Sequence, residues 1–159
     1  MKKTFFLLLT TLFVLCGCEI NNYDDDGVEI YNSDIRLLKR DWQVSGTEGE
    51  PGFYIYQQFE IDAITPRVFE EGAVLVYYKE NIDPRTNSVV KHILPYVYPR
   101  DVQVQGGYRQ IMQNIRYEVE PGLLTVVIEW EDFYEHSIDN MDFRVCILNP
   151  YNQKENKRR

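Results

Sequence analysis

Cysteine is nearly absent from this chain, and its few positions constrain both the fold and the address of the protein. There are three in 159 residues, and two of them, Cys16 and Cys18, fall within the first eighteen. Cys146 is left alone in the body of the sequence, so a disulfide scaffold is excluded as the source of stability. Histidine is scarcer still: His92 and His136 stand in no metal-ligand spacing. A nucleophilic cysteine would want a nearby histidine and an electropositive setting, and the apolar run Phe143 to Leu148 around Cys146 offers neither. Cys146 therefore reads as a small structural residue of the core. No Gly-x-Ser-x-Gly elbow, phosphate loop or dinucleotide fingerprint occurs. No catalytic residue, metal ligand set or cofactor is expected. Basic charge is in short supply as well, at 17 Lys and Arg against 25 Asp and Glu. A field of that sign repels phosphate backbones, which argues against a nucleic-acid partner. The one basic cluster is the tail from Lys154 to Arg159, and a short charged terminus reads as a solubilising end.

What is present begins at the start of the chain. Lys2 and Lys3 precede an apolar run from Phe5 to Leu15, which ends in Leu15-Cys16-Gly17-Cys18. The run is too short to cross a bilayer as a helix, which takes about 20 residues, and has the layout of an export signal. Its ending resembles the lipobox of bacterial lipoproteins, with an aliphatic residue three before the cysteine and a small residue directly before it. The resemblance implies removal of residues 1–17 and lipidation of Cys18. Loss of Lys2 and Lys3 then leaves 15 basic against 25 acidic side chains.

Residues 18–38 read as the lipidated cysteine and a polar, acidic tether, with Asp24-Asp25-Asp26-Gly27 at its centre and few side chains that could pack. A short helix from Ser33 to Arg40 is an option within it. Asn22, Asp24, Asp26 and Gly27 match the opening of a calcium loop, but its twelfth position should be a bidentate Glu and is Ser33, so no calcium is expected. Acidic residues so near the lipidated cysteine resemble the tag that sends Bacteroides-type lipoproteins to the outer face of the outer membrane. Asp24, Asp25 and Asp26 are thus a candidate export tag, with a solvated spacer as the alternative.

From residue 39 to 150 the pattern has period two. Ile111, Gln113, Ile115, Tyr117 and Val119 alternate with mostly polar neighbours; so do Leu124, Val126, Ile128 and Trp130, and Phe53, Ile55, Phe59 and Ile61. The unbroken apolar run 73–78 reads as a central strand buried on both faces. Gly49-Glu50-Pro51-Gly52, Asp83-Pro84, Gly106-Gly107 and Pro121-Gly122 punctuate the runs as turns, the last with Gly where a type II turn needs positive φ. Thr65-Pro66 followed by Gly72 reads as a capped helical turn that crosses between sheets. Strands are expected near 41–45, 53–61, 73–79, 89–97, 101–105, 108–119, 123–130 and 142–148. Seven or eight short strands over about 110 residues predict an all-β, immunoglobulin-like antiparallel β-sandwich, followed by a basic tail at 151–159.

The order of Trp42, Ile64-Thr65-Pro66, Gly72-Ala73-Val74-Leu75-Val76-Tyr77, Leu94-Pro95 and Phe143-Arg144-Val145 resembles a group of small outer-membrane lipoproteins of Bacteroides-type bacteria. The resemblance implies a cell-envelope β-sandwich and carries no reaction or ligand with it.

Twelve Tyr, eight Phe and two Trp are a high aromatic load. Trp130 and Trp42 alternate with apolar residues and read as core. Tyr54, Tyr56, Tyr96 and Tyr98 are the candidate ligand platform, since exposed aromatic faces stack on sugar rings; tyrosine is also simply a good strand former. Glu129, Glu131, Asp132 and Glu135 near a strand end, and Glu70-Glu71 in a turn, read as acidic rims rather than as the facing carboxylate pair of a glycosidase. The expected function is a non-catalytic, cell-surface interaction module, held to the membrane through Cys18, with a glycan or an envelope protein as partner. The alternative is a structural or accessory subunit of a fimbria- or transport-associated assembly, and a glycan-active hydrolase comes last. Replacing Cys18 by Ala is expected to abolish partitioning into detergent. Replacing Asp24, Asp25 and Asp26 together by Ala is expected to turn a protein that protease reaches on intact cells into one that it does not. Unchanged partitioning, or unchanged exposure, would remove the lipid or the tag respectively.

Overall fold

The computed structural model describes residues 28–150 apart from Pro84, Asn87 and Gln105. The proposed signal, Cys18, the Asp24–Asp26 cluster and the basic tail lie outside the described residues. Within them, nine strands form two antiparallel sheets. The strands are β1 (Glu29–Leu37), β2 (Gln43–Ser45), β3 (Tyr54–Glu60), β4 (Ala73–Asp83), β5 (Ser88–Ile93), β6 (Tyr96–Val104), β7 (Gly107–Glu120), β8 (Leu123–Trp130) and β9 (Met141–Asn149). One sheet has the order β1-β9-β4-β5 and the other β2-β3-β8-β7-β6. The all-β sandwich is thus as expected, with one strand more than the upper count. Neighbours differ from the immunoglobulin constant order, in which the first two strands pair. Here the first strand pairs with the last.

Alternation explains the core. Ile111, Ile115, Leu124, Val126, Ile128 and Trp130 from the larger sheet meet Val76, Phe143, Val145 and Ile147 from the smaller one, all with almost no exposure. Each such side chain contributes about 1.5–3 kcal/mol on leaving water. Tyr117 adds a polar tie, its hydroxyl donating across the gap to the Val74 carbonyl at 2.8 Å. Between the sheets runs α1 (Pro66–Glu71), with the expected signals in place. Thr65 Oγ1 accepts from the Val68 N–H at 3.1 Å, Pro66 opens the helix, and the Gly72 N–H closes it on the Val68 carbonyl at 2.9 Å. A Cβ on Gly72 would lie 2.4 Å from the Leu148 carbonyl oxygen, so this crossing admits only glycine. Gly122, at φ +80°, supplies the turn between β7 and β8.

Four expectations are corrected. Residues 29–37 are a strand and not a tether, and the helix considered from Ser33 is absent, with only a 3-10 turn at Lys39–Asp41. β1 turns Ile35 and Leu37 toward the core and presents Asp34 and Arg36 outward, where they meet charges from β9 more than a hundred residues away. Next, the boundary between β5 and β6 falls at Leu94 and the cis bond to Pro95, so Tyr96–Val104 is one strand where two were expected to divide. Pro99 sits within it because β6 is an edge. β4 is interior in its sheet, yet only Val76 is fully buried, since the outer face of that sheet is open. Last, Cys146 is not core. Val145 and Ile147 point inward, so period two turns Cys146 outward between Asn32 and Leu75, half-buried.

That outer face carries a ladder of ion pairs. Arg144 holds Asp34 through Nε at 2.8 Å and Nη2 at 2.9 Å, Lys79 adds a third contact at 3.3 Å, and Arg36 holds Asp142 at 2.7 and 2.9 Å. The Arg144 hydrogen bond, with Lys79 beside it, outweighs partial desolvation and lowers the Asp34 carboxyl to about 2. Because this folded value lies below the unfolded one of about 3.9, the stabilisation is present above pH 4 and lost as the pH falls toward 2. Asp34→Asn is therefore expected to cost up to about 1 kcal/mol at pH 7, an exposed pair being well screened. In urea denaturation the gap to the unmodified protein should close between about pH 4 and about pH 2. A gap of constant size would mean that Asp34 acts by packing and not by charge.

Candidate functional site

The four expected platform residues do not share a face. β6 pairs with β7 so that Tyr96 opposes Ile115 and Tyr98 opposes Gln113, both of which are fully buried, and this sets Tyr96 and Tyr98 toward the interior. There they join a stack. His92 and Tyr96 lie 4.1 Å apart and nearly parallel, Tyr96 and Tyr98 are 5.1 Å apart, and Tyr78 closes on Phe143 at 5.6 Å. His92 Nε2 lies 2.8 Å from a Glu80 oxygen. Burial, the largest effect, pushes the Tyr98 hydroxyl up to about 12, with Tyr78 adding to it. These rings fill the seam between the edge strands β5 and β6 and are packing, not a platform.

Tyr54 and Tyr56 do face outward, on the larger sheet. Their rings are 5.9 Å apart and tilted, and the Arg116 guanidinium stands 5.7 Å over the centre of Tyr54. Arg116 also donates to Glu129 through Nε at 3.1 Å and Nη2 at 3.0 Å, and it pairs with Glu118. Beneath this cover Val127 is fully buried although it points away from the core. Glu129 takes a further bond from Asn114 Nδ2 at 3.2 Å, its neighbour across the β7–β8 pair.

Next to this cluster the sheet end forms a depression of about 270 Å³, lined by Gly52, Phe53, Met112, Asn114, Glu129, Trp130, Glu131 and Phe133. Its far wall is built by the loop after β8. Phe133, at φ +60°, accepts at its carbonyl from the Gly49 N–H at 2.8 Å and donates its own N–H to the Trp130 carbonyl at 3.0 Å. Behind the loop, Asp132 is gripped by Arg109 and His136, and Ile138 is buried. The acidic cluster seen in the sequence therefore divides. Glu129 and Glu131 line the depression, Asp132 anchors the loop, and Glu135 takes part through its N–H, which donates to Glu48.

Sequence reasoning missed Asn114, Met112 and Arg116 as members of this site. Their only signal is parity, since they are the polar-phase partners of Gln113, Ile115 and Tyr117 and so occupy the outer face. The core holds one polar node that sequence took for an ordinary inward position. Gln113 is fully buried, and its Oε1 accepts from Trp130 Nε1 at 3.2 Å and from Arg100 Nη1 at 2.9 Å. No metal-holding group of His, Cys, Asp or Glu occurs among the described residues. Ser33, the twelfth position of the partial calcium loop, lies within β1 opposite Val145. No family model matches the chain, and neither the curated proteins nor the solved structures contain a match to it.

The inward setting of Tyr98 has a spectroscopic consequence. Its ionisation is displaced upward from the ordinary 10, so one tyrosine's share of the tyrosinate absorbance should rise only near pH 12, and that share should be missing from Tyr98→Phe. Unfolded chain would ionise first, so stability should fall as the pH climbs past 10. Amplitude lost near pH 10 in the variant, and not near pH 12, would put Tyr98 back on the surface.

Proposed function

We propose that this protein is a lipid-anchored, non-catalytic binding module of the cell envelope that takes a glycan or protein ligand on the outer face of its five-stranded sheet. The observation that carries this reading is the depression beside Tyr54, where aromatic and apolar side chains border a few fixed polar groups. The polar groups are held in advance: Arg116 by Glu118 and Glu129, and Asn114 by Glu129. Preset groups of this kind favour recognition because little freedom is lost on binding. Anchoring at Cys18 and surface exposure rest on the sequence resemblance alone.

A subunit of an envelope assembly is the second reading, favoured by the open edge at β5. Val89, Val90 and Ile93 on that strand and Ile82 on its hairpin partner are all exposed. An unpaired apolar edge is where another chain adds a strand. Lys91 on the strand and the irregular register at Asn81 and Asp83 blunt that edge, which is why it ranks below the outer-face site.

A glycan array probed with the full chain in detergent tests the first reading. Tyr54→Ala with Tyr56→Ala is expected to weaken any captured ligand at least tenfold, about 1.4 kcal/mol, whereas Tyr96→Phe leaves it unchanged. Binding that responds to Tyr96 and ignores the outer pair would overturn the assignment.

A further inference from the structure

We infer that the outer face of the four-stranded sheet is where two copies of this chain meet, sheet against sheet, about a two-fold axis that runs parallel to the strands. A solvated antiparallel sheet ordinarily turns polar side chains outward. Cross-strand register sorts this face into rows, and the rows change character along the strands. At the end where the chain enters stand Ile30, Leu148 and Ala73, followed by Asn32, Cys146 and Leu75. The third row sets Tyr77 and Ile93 beside the ion pair of Asp34 with Arg144. The fourth holds Arg36, Asp142, Lys79 and Lys91. Ile30 is 59% exposed and Ile93 53%, while Leu75, Tyr77 and Leu148 are only half-buried. An open sheet face with one apolar half is the mark of a surface that is covered in use.

Size and symmetry point to a second copy as the cover. Four strands about 4.8 Å apart and four rows about 6.6 Å apart make a face of roughly 500 Å² before side-chain relief is counted. Two such faces bury about 1,000 Å² or more, where specific protein interfaces begin. A two-fold axis across the strands would lay the charged rows on the apolar ones. An axis along the strands lays each row on itself, with β9 of one copy over β4 of the other. Leu148 then faces Ala73 of the second copy, and Cys146 faces its Leu75. Arg144 comes over the ring of its Tyr77, and Asp142 meets its Lys79. Each of these contacts occurs twice. Like charges, Arg36 and Lys91, fall on each other only at the outer corners, where water screens them. Both copies then have Glu29 and Asn149 at the same end, so a pair joined in this way can stand on one support. Each depression stays open, because it lies on the other sheet.

Sedimentation velocity of the full chain, with detergent micelles in excess over protein, reads the oligomeric state. Concentrations up to about 100 μM exceed the micromolar dissociation constants of modest interfaces. A dimer is expected. Leu75→Arg puts a charge near the axis and should weaken the dimer at least about tenfold, with a melting curve to check that the variant is folded. Val97→Lys, an exposed change on the other sheet, should leave the dimer unchanged. A second measurement needs no variant of the face. In the full chain with Cys16→Ser and Cys18→Ser, Cys146 is the sole thiol. Sheets packed about 10 Å apart bring the two Cys146 Cα atoms to about 11 Å, so a bis-maleimide of that reach should join two chains. Two β5 edges paired side by side would hold them about 24 Å apart and give no such product. A chain that stays monomeric over this range would overturn the inference and leave the face to another protein or to lipid. A dimer that ignores Leu75→Arg, or one without the Cys146 cross-link, would overturn it by placing the contact elsewhere. The depression is read separately, since Leu75 lies on the opposite sheet and its variant leaves ligand capture unchanged.

Discussion

β9 is the strand on which the smaller sheet depends. It pairs with β1 over nine residues and with β4 over seven, and β1 and β4 are joined to one another only by side chains, Lys79 to Asp34. Its inward side chains Phe143, Val145 and Ile147 make up much of that sheet's share of the core, and its outward Asp142 and Arg144 clasp Arg36 and Asp34. An interior strand delivered by the end of the chain means that the first and last elements must find each other before the sheet is continuous. Such a contact spans more than a hundred residues, the kind of separation that slows folding in sandwiches.

Legibility followed from how local each determinant is. The helix from Pro66 was readable because its cap, its first-turn proline and its terminating glycine all lie within eight residues. The turn at Gly122 was readable for the same reason. β1 was not, because half of its residues are polar and its partner is the far strand β9. Tyr96 and Tyr98 were assigned to the wrong face for a related reason. Both phases of Tyr96–Val104 contain apolar side chains, so only pairing with Ile115, Gln113 and Ile111 sets the phase. Cys146 shows the same difficulty within the apolar stretch Val145-Cys146-Ile147-Leu148, where composition does not say which residues face the core. Of the site, the outward Tyr54 and Tyr56 and the carboxylate Glu129 were visible, whereas Asn114, Met112 and Arg116 matter only through which neighbours cross-strand pairing gives them.

The polar node inside the core bears on the site through the loop after β8. Arg100 spans from Gln113 to the Ser137 carbonyl, and Trp130 leans edge-on against His136. Asp132, held by Arg109 and His136, completes the attachment. The loop that walls the depression is therefore fastened to the interior by charge-assisted bonds. Its position is fixed to the sheet, and the depression has a defined shape without any lid. Gly49, whose Cβ would stand 2.7 Å from the Tyr134 hydroxyl, shows how closely the opposing loop approaches.

Glu29 stands directly opposite Asn149, so the described chain enters and leaves the sandwich side by side. The depression lies at the other end, since Phe59 packs near the entry end and Phe53 lines the pocket six residues along the same chain. At about 3.3 Å per residue that is roughly 20 Å of separation. Geometry thus makes the molecule a pedestal. Whatever is joined at residue 28 or residue 150, whether a membrane tether, a fusion partner or a sensor surface, supports the sandwich from below and leaves the depression facing away from the attachment.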